Sequence, residues 1–212
     1  VEWADLNSHG TVGARGLVKI EPHQQSEQDW PRYGPGGVFG SIGLRVNELF
    51  WEDLAEYLWA RSLVRPVGIS AFNSSSNVAE NVRIVLKLPR QDTAIVVSED
   101  ELPPEPSEDY MNNQLRDIKP ASPSCLTVRA LKSHWEIEFK MGSIQPKAQA
   151  WATEPIYLGT AQPQTLDFET TVYADNIGEP QKSKLSLDIQ VEHRPALTMD
   201  DLRAYDEQTD RP

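Results

Sequence analysis

The sequence predicts a mainly β fold: an antiparallel β-sandwich with an amphipathic helix before it and a short C-terminal helix after it. Three observations lead there. Several segments alternate apolar and polar residues with a period of two, Pro, Gly, Asn and Ser punctuate the gaps between them, and helical periodicity is almost absent over the same stretch. Period-two alternation places successive side chains on opposite faces of a strand, so each such segment has one dry side and one wet side.

Four segments show the pattern most clearly. Val82, Ile84, Leu86 and Leu88 alternate with Arg83, Val85 and Lys87, and Trp135, Ile137, Phe139 and Met141 alternate with Glu136, Glu138 and Lys140. Leu166, Phe168, Thr170, Val172 and Ala174 form a third apolar face; Leu185, Leu187, Ile189 and Val191 form a fourth, opposed by Ser186, Asp188, Gln190 and Glu192. Weaker strands are expected at Val67 to Phe72, Thr93 to Ser98, Cys125 to Leu131 and Ala152 to Leu158. Half-buried strands without intervening helices favour two packed antiparallel sheets over a parallel α/β sheet.

Before these strands, Val46, Phe50, Leu54, Tyr57 and Leu58 recur at helical spacing with Asn47 available as an N-cap, which predicts a helix over 47–61. At the other end, Thr198 followed by Asp201 resembles a capping box with aspartate in place of glutamate and opens a helix over Met199 to Asp206. Upstream, Val1 to Leu6 and Gly16 to Ile20 are expected to pair around the turn-forming Asn7-Ser8-His9-Gly10, and Glu21 to Ser41 reads as loop. The expected organisation is an N-terminal extension over 1–45, a connecting helix over 46–63, the sandwich over 64–194 and a short helix with a polar tail over 195–212. Residues 99–124, rich in Pro and acids, read as a long exposed loop.

Charge and cysteine content narrow the function classes. The 212-residue chain carries a net charge of −12, and Glu99, Asp100, Glu101, Glu105, Glu108 and Asp109 share one segment without Lys or Arg. Binding to nucleic-acid phosphates needs clustered Lys and Arg, so direct nucleic-acid binding is not expected. No apolar run approaches the roughly 20 residues that span a bilayer, so no membrane partner is expected. A lone Cys125 cannot form an intramolecular disulfide, which favours a cytoplasmic setting. The chain opens without Met and inside strand-like text, which predicts a preceding segment of a larger protein.

No chemical constellation is complete. The stretch Tyr33 to Ser41 is glycine-rich but lacks the Lys-Ser/Thr of a phosphate loop and the strand-turn-helix context of a dinucleotide fingerprint. His9, His23, His134 and His193 never fall at metal-ligand spacing, so neither metal nor cofactor is expected. Ser74, Ser75 and Ser76 form a turn rather than a nucleophile elbow, and Glu136 and Glu138 read as the wet side of a strand before they read as a glycosidase pair. Among the tryptophans, Trp135 leads a dry face, while Trp51 and Trp59 flank the first helix, placed to cover the sandwich or to meet a neighbouring domain; Trp3, Trp30 and Trp151 have no assigned place. In the acidic loop, Leu102 and Tyr110 are candidate apolar anchors among Glu99, Asp100 and Glu101 for docking on a basic surface. These residues, with Trp51 and Trp59, are the expected interaction surface.

The stretch Phe72-Asn73-Ser74-Ser75-Ser76-Asn77-Val78-Ala79-Glu80-Asn81-Val82, followed by the alternating strand to Leu88 and then Pro89, resembles bacterial immunoglobulin-like domains of the CARDB type. It is also similar to the C-terminal regions of bacterial proteins that carry a Schlafen-type AlbA-like domain. In both groups the turn usually contains Gly, where this chain has Ser75 and Ser76, and after Gly142-Ser143-Ile144-Gln145-Pro146 Lys147 stands where Gly is common. The resemblance covers residues 67–193 and implies an immunoglobulin-like sandwich without catalytic residues of its own. The expected role is a noncatalytic accessory or interaction domain of a larger bacterial intracellular protein, whose partner is another domain or protein. An extracellular glycan- or protein-binding module is the second reading, and a hydrolase using scattered carboxylates the third.

Overall fold

A computed structural model of the chain describes residues 2–5, 11–14, 47–108 and 124–209. In chain order these form β1 (Glu2–Asp5), β2 (Thr11–Ala14), α1 (Phe50–Leu63), β3 (Arg65–Phe72), β4 (Ala79–Pro89), β5 (Ala94–Val97), β6 (Leu126–Ala130), β7 (His134–Ile144), β8 (Gln149–Trp151), β9 (Ile156–Thr160), β10 (Gln164–Tyr173), β11 (Gln181–His193) and α2 (Met199–Thr209). Two compact units result, one from Val1–Ala14, Arg61–Leu102 and Ser122–Arg194, the other from Arg15–Ala60, Pro103–Ala121 and Pro195–Pro212; the division falls within α1.

The first unit is a β-sandwich. One sheet has the order β1-β3-β9-β5, with β8 also paired to β3, and the other has the order β2-β11-β10-β4-β7-β6. All pairs are antiparallel except β2 on β11. The expected strands lie close to their expected bounds, except that over Ala152 to Leu158: strand begins there only at Ile156, in β9, and the short β8 precedes the expected range. Ala152 to Pro155 separate β8 from β9, because Pro155 has no N–H to give to a ladder.

The two N-terminal strands join the two sheets. β1 pairs with β3, setting Trp3 opposite Ile69, and β2 runs beside Gln190 to His193 of β11, so the two join different sheets rather than each other. Unsatisfied backbone groups along β3 and β11 offer each short strand a ready ladder, which a pairing between two isolated short strands would have to build from nothing. Gly16 to Ile20 and the loop over 21–41 lie outside the described residues.

Inward-facing residues of both sheets make one core. Val67, Ile69 and Ala71 of β3, Val96 of β5, and Ile156 and Leu158 of β9 meet Ile84, Leu86 and Leu88 of β4, Ile137 and Phe139 of β7, and Leu166 and Phe168 of β10. Each fully buried Leu, Ile or Phe side chain contributes roughly 1.5–3 kcal/mol. Leu185 and Leu187 are only half-buried, because β11 lies toward the margin of the larger sheet, and Ile189 completes the core there. Among the described residues β2 covers β11 only at 190–193, and Lys182 and Lys184 on the uncovered length discourage pairing with another chain.

The β4–β7 ladder is irregular at one end. Its register shifts on either side of Val82, where Asn81 has φ 49° and Gly142, opposite Val82, has φ 69°. An extra residue on β4 near Asn81 is offset by one on β7 near Met141, so the strands leave the double bulge in phase. Asn176 holds the bulged β4 end from the β10–β11 turn. Its side-chain oxygen accepts the Glu80 N–H at 3.1 Å and its amide donates to the Val78 carbonyl at 2.6 Å, while the Asn81 amide donates to Asp175 at 2.7 Å.

The second unit has its own small core of Phe50, Leu54, Ala55, Tyr57 and Leu202, with Trp51, Leu58, Met199 and Tyr205 packed against it. Asn47 stands before α1 as expected: its side-chain oxygen accepts the Leu49 N–H at 3.2 Å and its amide donates to Asp53 at 3.1 Å. The capping box of α2 forms with the predicted residues. Asp201 accepts from the Thr198 N–H at 2.9 Å and hydroxyl at 2.8 Å, and the Asp201 N–H returns a bond to Thr198 Oγ1 at 3.3 Å. The helix continues past the expected Asp206 to Thr209.

Two tests follow from the packing. Thr170 is 1% exposed and its hydroxyl has no hydrogen-bond partner, so Thr170→Val should raise the denaturation free energy by about 1 kcal/mol; a loss of stability would show that the hydroxyl is satisfied. A Cβ on Gly159 would lie 2.1 Å from the Leu63 carbonyl oxygen, whereas one on Gly142 meets nothing within 4 Å but occupies a left-handed residue. Urea titration should therefore find Gly159→Ala costing about 3 kcal/mol or more through the clash, and Gly142→Ala about 1–2 kcal/mol through backbone strain.

Candidate interaction surface

The two outer faces of the sandwich differ in chemistry. On the larger sheet, the cross-strand register lines up Arg129, Glu136, Lys87, Glu169 and Lys184 across β6, β7, β4, β10 and β11, so charges alternate in sign along one row. Arg129 pairs with Glu136 at 3.1 Å, and Arg83 reaches diagonally to Glu138 at 3.9 Å while its guanidinium lies 5.5 Å from the centre of the Tyr173 ring. Glu136 and Glu138 thus stand on a sheet face, each matched by an arginine, as the wet side of β7.

The outer face of the smaller sheet is apolar. At its β5–β9 end, Tyr157 and Val97 pack with Leu63, Val64 and Leu102. Gly159 belongs to this contact, since only a residue without Cβ lets the Leu63 carbonyl come so close. At the β3–β8 end the face is open. Phe72 and Trp151 are 58% and 49% exposed. Ser70 is opposite Trp151 and Phe72 opposite Gln149, so the two aromatic residues sit diagonally on one face, with Gln149 donating to Ser70 Oγ at 2.8 Å between them.

The loops beside this open end are the segments whose pattern carries the family resemblance. Asn73 accepts the Ser75 N–H at 3.1 Å and donates to the carbonyls of Asn77 at 2.8 Å and Ile144 at 3.0 Å. Its backbone N–H donates to the Ala148 carbonyl at 2.9 Å, and its own carbonyl accepts from the Lys147 N–H at 2.8 Å. Lys147 has φ 56°, a left-handed conformation, which explains why glycine suits that position. Its ammonium donates to the Ser74 carbonyl. None of Ser74, Ser75 and Ser76 has positive φ, so the turn does without glycine by using the Asn73 side chain.

The residues expected to form an interaction surface are divided between the two units. Trp51 is half-buried and meets Phe50 edge-on, with ring centres 4.9 Å apart, in the core of the second unit. Trp59 is 38% exposed. Glu99, Asp100 and Glu101 form a single 3-10 turn in which the Glu101 carboxylate accepts from the Ser98 N–H at 2.8 Å, and Glu99 is paired with Arg61. Leu102 is buried with Val64 and Tyr157, so it is a core residue and not an exposed anchor, a correction imposed by the apolar side of the smaller sheet. Tyr110 lies outside the described residues. The sandwich therefore draws the start of the acidic segment onto itself, while Phe72 and Trp151 carry the aromatic exposure. Phe72 was readable in principle, since it follows Pro66, Gly68 and Ser70 on the face opposite Val67, Ile69 and Ala71. Trp151 had no such signal in so short a strand.

Other candidate chemistry remains dispersed. Trp135 is half-buried against the core with the Arg90 guanidinium 5.4 Å from its ring centre, and His134 meets Ser133 at 3.0 Å. His193 ends β11, and Cys125 is a half-buried free thiol whose N–H donates to Glu154 at 3.0 Å. Among the described residues no group of three or more His, Cys, Asp or Glu side chains is arranged to hold a metal ion, and no helix is long and apolar enough to cross a membrane. In the second unit, Tyr205 donates to Glu105 at 3.1 Å, and burial, then the neighbouring Tyr57 and Glu105, push its phenol well above the usual tyrosine range. Comparison with protein-family models and with curated proteins finds no match.

Two measurements probe this electrostatics. Lys87→Glu would set three acids side by side across β7, β4 and β10 and should cost about 1 kcal/mol at low ionic strength, shrinking in high salt; a cost independent of salt would exclude the charge row as its origin. Because the phenol of Tyr205 holds its proton more tightly folded than unfolded, its contribution is complete below the ordinary tyrosine pKa of about 10 and is lost as pH rises beyond it. Stability should fall above that pH in the native chain and fall less steeply in Tyr205→Phe.

Proposed function

We propose that this chain is a noncatalytic accessory or protein-interaction domain of a larger bacterial intracellular protein, an immunoglobulin-like sandwich of the CARDB type that offers the open end of its smaller sheet to another domain or protein. One observation carries the reading: Phe72 and Trp151 are large, exposed and on the same sheet face, whereas Glu136 and Glu138 of the opposite sheet are each matched by an arginine. Aromatic residues dominate binding energy where they can be desolvated, and on a β-sheet the backbone that carries them is already ordered before contact. The Asn73 turn and the Lys147 loop, which carry the resemblance to bacterial domains, support the same surface by fixing the chain on either side of it. The paired state of Glu136 and Glu138 supports a role without hydrolysis.

A second reading, an extracellular glycan-binding module, draws on the same rings. Exposed aromatic faces stack on sugars, and the exposed Gln149 between them, held by its bond to the buried Ser70, is a polar partner for sugar hydroxyls.

The two readings separate in one set of measurements. A photo-crosslinking residue placed at Trp151 in the full-length protein, in its native cells, should trap a defined protein or a neighbouring domain, and one placed at Lys87 on the other sheet should not. Phe72→Ser with Trp151→Ser should weaken that association by about thirtyfold, the loss of about 2 kcal/mol typical of an aromatic hot spot, without changing the thermal midpoint by more than a few degrees. Equal labelling from both positions, or unchanged affinity of the double variant, would overturn the interaction surface. Saturable binding of an oligosaccharide that Trp151→Ser abolishes would instead establish the glycan reading, and turnover by the isolated chain in a hydrolase screen would sink both.

A further inference from the structure

We draw no further inference here: the strongest candidate, the exposed Phe72 and Trp151 pair on the outer face of the smaller sheet beside β8, belongs to the surface already described, and nothing in the structure shows what covers it.

Discussion

The central β4–β7 ladder sets the terms for the rest of the sandwich. Ile84, Leu86 and Leu88 on one strand and Ile137 and Phe139 on the other are almost wholly withdrawn from water, while Lys87, Glu136 and Glu138 between them face out. A one-residue slip of β4 would turn Lys87 inward and Ile84, Leu86 and Leu88 outward, and a slip of β7 would turn Glu136 and Glu138 inward and Ile137 and Phe139 outward; either reversal is comparable with the net stability of a domain. Register is therefore fixed from the centre outward. The charge row across the larger sheet is a consequence of that register, since Arg129 and Glu169 meet their partners only when Leu86 and Ile137 meet theirs.

So firm a register must end somewhere, and the double bulge near Val82 is where it relaxes. Asn81 and Gly142 take left-handed backbone on facing strands, and the extra residues cancel, so Ala79 and Ile144 return to the core beyond the irregularity. The open backbone groups created there are met by side chains. Asn176 supplies both a donor and an acceptor to the start of β4, as Asn73 does for the loops before β4 and after β7. Two asparagines thus do at the sandwich end what ladder bonds do in its middle.

Period-two alternation made the long strands legible because each side of β4, β7 and β10 meets one environment, core or water. The α2 capping box was equally legible, as Thr198 and Asp201, three residues apart, bond to each other's main chain and side chain. Legibility failed where a tertiary partner decides. β1 and β2 are too short to choose a partner by themselves and take whichever sheet margin is open. Leu102 stands among acids and prolines, a context that reads as solvated, and its burial depends on Val64 and Tyr157, which are distant in sequence. The same nonlocal cause hides the surface. Phe72 and Tyr157 are both aromatic residues on the outer side of one sheet, yet Tyr157 is covered and Phe72 is not.

That contrast narrows what the exposed end can be. An aromatic residue left in water on a face whose other half is already sealed gains nothing for the fold, since the covering Leu63, Val64 and Leu102 reach only the β5–β9 end. Serine or threonine at position 72 would satisfy a solvent-facing strand site, and Ser70, two residues earlier on the same side, is sealed with its hydroxyl bonded to Gln149. The ring at 72 and the ring at 151 are therefore in excess of what the sandwich core needs, on adjacent strands held by the Asn73 turn. Excess apolar area on a rigid support is the physical requirement for a binding face: desolvating it contributes free energy, and the support is already ordered before contact.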